Sequence, residues 1–589
     1  MKDYSKLLSD MRAFISEEQE SAEIQLREVW RKPLQEKLDK GLTQCFAYLE
    51  RAQDSGYVWA YLDGSDARFR EGDMVALHQG NPLDKILARQ VTIELEDENR
   101  WLLRFNKPIE VIELFRELGP SPATCYADPD ALDLTPLYES ALKDISSTKI
   151  GQDIVLPMLA GDLDITFDEA EMSYAQATAL AEGFNAKQAE AVSLALGAEQ
   201  MACIQGPPGT GKTRVLALIA RLMVARGERI LVTSHTHMAI NNALNKIHAQ
   251  GIPTVKIGRY TQRKGLDDTV TACEEFKAWR DRPTSGYVVG ATPFATCSQR
   301  LSKVEFDTII FDEASQITTP MALMAMRTGK RFIFIGDQKQ LPPVMLSRSV
   351  LNKDTLSAFS VLTAQDTGHM VMLSETYRMN KWLTAWPSSA YYDHALQSAD
   401  TSRDRKLQLS EVSERLISIF DPEASGVFIP TLDKTARSRN LCDADLVAEL
   451  CAAAVGGGLT VNHIGIVTPY RAQGRAIRNA LSQRLGLKQA SQVIADTVER
   501  MQGQERELII LSLATGDEAY LAAVAGFFFQ PERLNVSITR AMTKLIVIGP
   551  ELTTKPASDN EVVNRWVTQY IDFIQSLKRI EPVALAVTA

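Results

Sequence analysis

Residues 206–213 read Gly206-Pro207-Pro208-Gly209-Thr210-Gly211-Lys212-Thr213, and residues 312–316 read Asp312-Glu313-Ala314-Ser315-Gln316. In the first stretch the glycines let backbone N–H groups turn into one concave loop that receives phosphate oxygens. An apolar run, Ala202-Cys203-Ile204, precedes it, and an apolar helical stretch at 215–224 follows. In that strand–loop–helix setting Lys212 is expected to reach the β- and γ-phosphates, and the Thr213 hydroxyl to ligate Mg²⁺. The second stretch ends another apolar strand, Ile309-Ile310-Phe311. Asp312 suits the Mg²⁺ shell, and Glu313 is placed to orient and deprotonate an attacking water. The expected ligands are therefore a nucleoside triphosphate and Mg²⁺.

Outward from these stretches, strands alternate with helices. Met201–Gln205, Arg229–Thr233, Thr308–Asp312 and Arg331–Gly336 are apolar strands separated by helical segments, the pattern of a parallel α/β sheet. A second series follows at Ile464–Thr468, 508–513 and 545–549. Two α/β halves form the main architecture. Upstream, residues 4–50 read as helix, with Leu7, Met11, Phe14 and Ile15 on one face of an otherwise charged strut. Short β-rich runs then appear at Tyr57–Leu62, Met74–His78, 86–95 and 101–105, divided by turn residues, as in a small antiparallel barrel or sandwich. Gly119-Pro120-Ser121-Pro122 marks a break before a mostly helical connector. The expected divisions are 1–53 (stalk), 54–118 (barrel), 119–182 (connector), 183–345 and 346–575 (the α/β halves) and 576–589 (tail).

At 589 residues the chain exceeds what one core accommodates. Its 45% apolar and 23% charged residues are an ordinary balance, and no segment has the roughly 18 apolar residues that span a bilayer. The N-terminus lacks an apolar signal core and is acidic, so cytoplasmic residence, or a nucleoid or nucleus reached from it, is expected. Seven scattered cysteines without a C-x-x-C fit reduced thiols rather than zinc or disulfides. A net charge of −10 argues against coating nucleic acid by bulk attraction. It leaves room for a narrow groove of amides, hydroxyls and a few cations.

The order of motifs resembles superfamily 1B helicases, in the group of the up-frameshift RNA helicase and the immunoglobulin-mu-binding helicase, from about residue 25 to 575. Phe184-Asn185-Ala186-Lys187-Gln188 is similar to the family's Q motif, which implies that Gln188 reads adenine. Gly336-Asp337-Gln338-Lys339-Gln340-Leu341-Pro342-Pro343 matches the third motif and implies that Gln340 senses the γ-phosphate. Glu375-Thr376-Tyr377-Arg378-Met379 implies that Tyr377 stacks on adenine and that Arg378 is an arginine finger. Gln502-Gly503-Gln504-Glu505 implies a ribose contact by Glu505, and the 533–541 run implies a second finger, Arg540. The resemblance further implies two RecA-like P-loop domains with parallel sheets, an N-terminal helical stalk and a small barrel.

Strand contacts are expected from Thr233, Ser234 and Thr292 in the first half, and from Thr468, Pro469, Tyr470 and Thr497 in the second. The segment at 233–242 departs from the family's Pro-Ser-Asn-rich pattern, and its His235 and His237 are read as packing residues. Between Gly258 and Gly286 lies a short polar stretch where the up-frameshift helicase carries a larger subdomain. Nothing resembles an appended nuclease, zinc module or iron–sulfur site. The expected function is an ATP-dependent helicase or translocase on single strands and single/double-strand junctions of DNA or RNA, with 5′→3′ travel implied by the resemblance. The alternatives are a nucleoprotein remodeller and an ATP-switched nucleic-acid-binding subunit that does not separate strands.

Overall fold

The computed structural model describes residues 2–64, 69, 72–84, 88–97, 99–119, 123–347, 356–365, 368–552 and 560–581. The start of the strand expected at 86, parts of the turns around Ser65 and Glu98, the Pro120–Pro122 break and the end of the tail lie outside them.

The first lobe is an eight-stranded sheet. Its strands are β7 (Met201–Gln205), β8 (Arg229–Thr233), β9 (Thr254–Ile257), β10 (Thr271–Cys273), β11 (Tyr287–Gly290), β12 (Thr308–Asp312), β13 (Arg331–Gly336) and β14 (Met370–Met372). They run in the order β10-β9-β11-β8-β12-β13-β7-β14, with every pairing parallel. β7 and β12 are buried along their whole length, because a parallel sheet is covered on both faces. Apolar clusters fill both faces: Cys203, Leu231 and Phe311 belong to one, Ile204, Val232 and Ile310 to the other. The four strands expected in this half have the bounds read from the sequence. β14 lies beyond residue 345, yet it pairs with Cys203–Gln205, so the chain returns to the first sheet before it enters the second.

The second lobe holds β17 (Gly426–Pro430), β18 (Ile464–Thr468), β19 (Ile494–Thr497), β20 (Arg506–Ser512), β21 (Ala541–Gly549) and β22 (Lys578–Arg579), in the order β19-β18-β20-β21-β17-β22. All are parallel. A two-strand ribbon, β15 (Glu375–Thr376) with β16 (Gln397–Ser398), lies between the two lobes in sequence.

The accessory domain is a closed antiparallel barrel in the order β1-β2-β5-β4-β3-β6. Its strands are β1 (Gln44–Arg51), β2 (Tyr57–Leu62), β3 (Met74–His78), β4 (Arg89–Glu96), β5 (Arg100–Phe105) and β6 (Cys125–Pro129). Closure removes exposed strand edges, and it needs β1 and β6, which come from residues read as helix and connector. The helix expected over 4–50 is two helices, Ser5–Trp30 and Leu34–Asp39, broken near Pro33. The long helix buries Leu8, Met11, Phe14 and Ile15 in the first lobe's core, together with Leu142 and Ile145 of helix Thr135–Ser147. After Ile15 it buries no residue, so only its second half is a strut.

The strut is tied at both ends. Glu18 accepts hydrogen bonds from Leu346 N (3.1 Å), Ser347 N (2.8 Å) and Ser347 Oγ (2.5 Å), just past the third motif. At the barrel, the fully buried Asp128 carboxylate takes Lys37 and Thr43 as partners, with His78 Nε2 at 3.3 Å. A buried charge left without such partners would cost several kcal/mol. No helix among the described residues is long and apolar enough to cross a membrane.

Candidate nucleotide cleft and strand groove

β7 and β12 end on the same side of the first sheet, separated by β13. Carboxyl ends of parallel strands are where such sheets bind ligands. The loop from Gly206 to Gly211 leaves β7, and helix Lys212–Ala225 starts directly after it. Gly206 N donates to Gly336 O (2.8 Å), and Thr210 Oγ1 donates to Pro207 O (2.8 Å). Lys212 Nζ folds back onto Gly206 O (2.5 Å). Gly209 has φ +75°, and a Cβ there would lie 2.4 Å from Arg378 Cβ and 2.5 Å from Thr376 Oγ1. This glycine is therefore demanded by contact with the segment leading into the second lobe as well as by the turn. Tyr377 N closes the same contact by donating to Gly209 O (2.8 Å).

The loop faces a cleft of about 300 Å³ between the lobes. Lys212, Thr213 and Glu313 line it from one side, with Gln340; Tyr377, Arg378, Glu505 and Arg540 line it from the other. Pro208, Gly209, Thr210 and Gly211 also line it, while Gly206 and Pro207 form the loop's base. Asp312, at the end of β12, is 6% exposed. Burial, and then the neighbouring Glu313 charge, push its carboxyl up to about 7 against the pull of Lys212. Two adjacent carboxylates beside a phosphate loop, one of them buried, form a donor set that gains from a cation, so Thr213 and Asp312 fit Mg²⁺. Among the described residues no cluster of three or more His, Cys, Asp or Glu makes an all-protein metal cage. Mg²⁺ held by few protein ligands and by phosphates needs none.

Glu313 has φ +51°, a left-handed conformation that a non-glycine residue adopts at a cost of roughly 1–3 kcal/mol. Its carboxylate faces the second lobe, where Gln502 Nε2 donates to Oε2 at 3.5 Å.

Both arginines are buried. Arg378 Nε donates to Glu505 Oε2 (2.7 Å) and Nη1 to Thr539 O (3.0 Å). Although burial opposes it, Arg378 holds Glu505 below the ordinary carboxylate range. Arg540 Nε donates to Val536 O (2.8 Å) and Nη2 to Thr539 Oγ1 (3.2 Å). Burial, and then the nearby Arg378 charge, push its guanidinium down to about 9. A phosphate entering the cleft would relieve this cation pair.

Gln188 does not line the cleft. It is buried behind the loop, with Nε2 donating to Thr210 O (2.9 Å) and Oε1 accepting from Asn185 N (3.2 Å). Asn185 Nδ2 also donates to Tyr377 OH (2.9 Å). Gln188 thus braces the phosphate loop, and Glu505 pairs with Arg378 at the cleft wall.

The residues expected on a strand track fall into two groups. Thr468 and Thr497 pair across β18 and β19 and line a groove of about 810 Å³ between the second lobe and the barrel with its stalk. Arg471, Arg475, Arg478 and Arg500 line the same groove, opposite Lys40. The sequence reading missed them, although Arg471, Arg475 and Arg478 stand at helical spacing on Arg471–Leu485. Pro469 and Tyr470 are half-buried to one side, with the Tyr470 ring packed 6.2 Å from Phe527. In the first lobe, Thr233 and Ser234 are buried at the end of β8, and neither hydroxyl has a partner among the described residues. Thr292 precedes the short helix Pro293–Thr296. His237 Nδ1 lies 3.2 Å from the buried Lys256 Nζ, a packing role.

Residues 183–409 and 355–552 each match a protein family described as "AAA domain". The "DNA replication ATP-dependent helicase/nuclease DNA2" of Bos taurus is 28% identical over 407 residues, which cover 64% of this chain and 38% of that protein. The "DNA polymerase alpha-associated DNA helicase A" of Schizosaccharomyces pombe is 27% identical over 459 residues, 66% of each chain. The chain thus spans well under half the length of the first of these relatives. Among solved structures, the arterivirus nonstructural protein 10 helicase is similar at 14% identity and a TM-score of 0.37, covering 88% of this chain and 80% of that one, a likeness too loose to carry weight. The two AAA-domain matches thus fall on the two parallel-sheet lobes, and over about two thirds of its length the chain is similar to these helicases.

Proposed function

We propose that the chain is an ATP-dependent nucleic-acid helicase or translocase that hydrolyses Mg-ATP between its lobes and moves on single strands. The observation that carries this reading is the cleft itself: phosphate loop, Glu313 and Gln340 on one wall, Arg378 and Arg540 on the other. Lys212 binds the β- and γ-phosphates, Glu313 takes the proton of the attacking water, and the two arginines stabilise charge on the transferring group. Thr213 and Asp312 would hold Mg²⁺, which neutralises phosphate charge when bound. Because cations approach the γ-phosphate from both lobes, ATP favours a closed cleft and hydrolysis releases it.

Thr468 and Thr497 would grip one strand in the second lobe, and Thr233, Ser234 and Thr292 in the first, so that opening and closing advance the strand. Tyr377 and Glu505 would meet the adenosine, with Arg378 leaving Glu505 for phosphate. Placement within the up-frameshift group, 5′→3′ travel, preference for junctions and residence in the cytoplasm belong to this same reading. The test is ATP turnover with and without single-stranded DNA or RNA, followed by unwinding of 5′- and 3′-tailed duplexes. Strand-stimulated turnover with unwinding of the 5′-tailed duplex is expected. Stimulated turnover without unwinding makes the chain a translocase or remodeller, and no stimulation overturns the reading.

A further inference from the structure

Asp337, in the third motif, is fully buried. Its Oδ2 accepts from Gln340 Nε2 (2.8 Å) and from Tyr392 OH (2.8 Å). Its Oδ1 accepts from Lys339 N (3.1 Å) and Gln205 Nε2 (3.3 Å). The Tyr392 hydroxyl in turn accepts from Asn535 Nδ2 (2.8 Å), which also donates to Lys339 O (2.8 Å). Asn535 sits in helix Pro531–Ile538 of the second lobe. That helix's last turn orients both arginines: Asn535 O accepts from Thr539 Oγ1 (2.6 Å), Arg540 binds Val536 O and Thr539 Oγ1, and Arg378 binds Thr539 O. The Tyr392 hydroxyl therefore joins the side chain of Gln340, through Asp337, to the turn that aims the arginines, beside the bond from Asn535 to the Lys339 backbone.

We infer that Tyr392 is a positioning residue for ATP hydrolysis, linking the Asp337–Gln340 pair to Asn535 so that Gln340 and the two arginines are set in register across the cleft. A carboxylate accepts only, so Asp337 fixes which end of the Gln340 amide it holds. Tyr392 donates to that carboxylate and accepts from Asn535, a relay that neither a phenylalanine nor a second carboxylate reproduces. All three side chains are buried, so loss of the hydroxyl leaves both neighbours short of a partner in a place where water does not compensate. The inference rests on the ATPase reading above.

The experiment uses the full chain and Tyr392→Phe, which keeps the ring. Strand-stimulated kcat is expected to fall about tenfold or more. Affinity for a fluorescent ATP analogue should stay within about threefold, because Tyr392 does not line the nucleotide cleft. A fall in kcat of less than twofold, or an equal loss of nucleotide affinity, overturns the inference. Asn535→Ala supplies the second arm. If the relay acts as one unit, the double variant is no slower than about the slower single variant, whereas multiplying losses would show two unrelated effects. Should Tyr392→Phe fail to fold, Asn535→Ala alone must lower kcat with affinity retained, and normal kcat there overturns the link. Absence of turnover in the unaltered chain sinks the ATPase reading itself, a result distinguishable from an active chain that ignores Tyr392.

Discussion

On the first lobe's wall of the cleft, most of the groups that would meet phosphate come from one run of consecutive residues, 206–213, closed by bonds within the run and braced from behind by Gln188. On the second lobe's wall, Arg378 and its partner Glu505 stand 127 positions apart, and Arg540 arrives on a third segment. The first wall is a local conformation and exists whenever strand, loop and helix fold. The second is an assembly, and its guanidiniums are aimed by carbonyls and a carboxylate that belong to other elements. On the proposed reading the first wall supplies the phosphate grip and the base Glu313, and the second wall supplies the arginines that turnover also needs.

The sharpest attack on that division is Lys212→Ala, which should bring ATP turnover to background and weaken nucleotide binding; near-normal steady-state turnover would refute the phosphate-loop assignment. Glu313→Gln separates the two tasks on the first wall. Hydrolysis should drop on the order of 10²–10⁴-fold while a fluorescent nucleotide still binds. Arg540→Ala tests the second wall. A loss of roughly 10³-fold in turnover with binding retained is expected, and less than a tenfold loss would mean that the residue is no finger. The smallest effect belongs to the groove. Thr468→Ala should weaken single-strand affinity about two- to tenfold, the scale of one hydrogen bond, and leave strand-free turnover alone. If instead it abolished strand-free turnover, groove and cleft would not be separate functions.

The same contrast explains what was legible in the sequence. Met201–Gln205, Arg229–Thr233, Thr308–Asp312 and Arg331–Gly336 were readable to the residue, because a fully buried parallel strand is an unbroken apolar run between turn signals. Gln44–Arg51 was not. It follows a charged helix closely and becomes a strand only because barrel closure needs a partner for both β2 and β6. β14 was hidden for a related reason: three residues carry no period, and only the open edge of β7 recruits them. In the site, the glycines of the phosphate loop announced themselves. That Gly209 also makes room for Arg378 did not, nor did the bracing role of Gln188 behind the loop.

Read alone, the chain displayed a phosphate-loop pattern, a carboxylate pair at a strand end, and an ordered series of motifs, each local in sequence and of residue types that would suit triphosphate hydrolysis. Tertiary structure alone decided the partners: that Arg378 rests on Glu505, that Glu18 of the stalk grips the loop past Gln340, that Tyr392 stands between Asp337 and Asn535, and that four arginines share a groove with the barrel. Backbone conformation and periodicity are set by neighbours within a few residues, whereas contacts between distant segments exist only once whole sheets have packed.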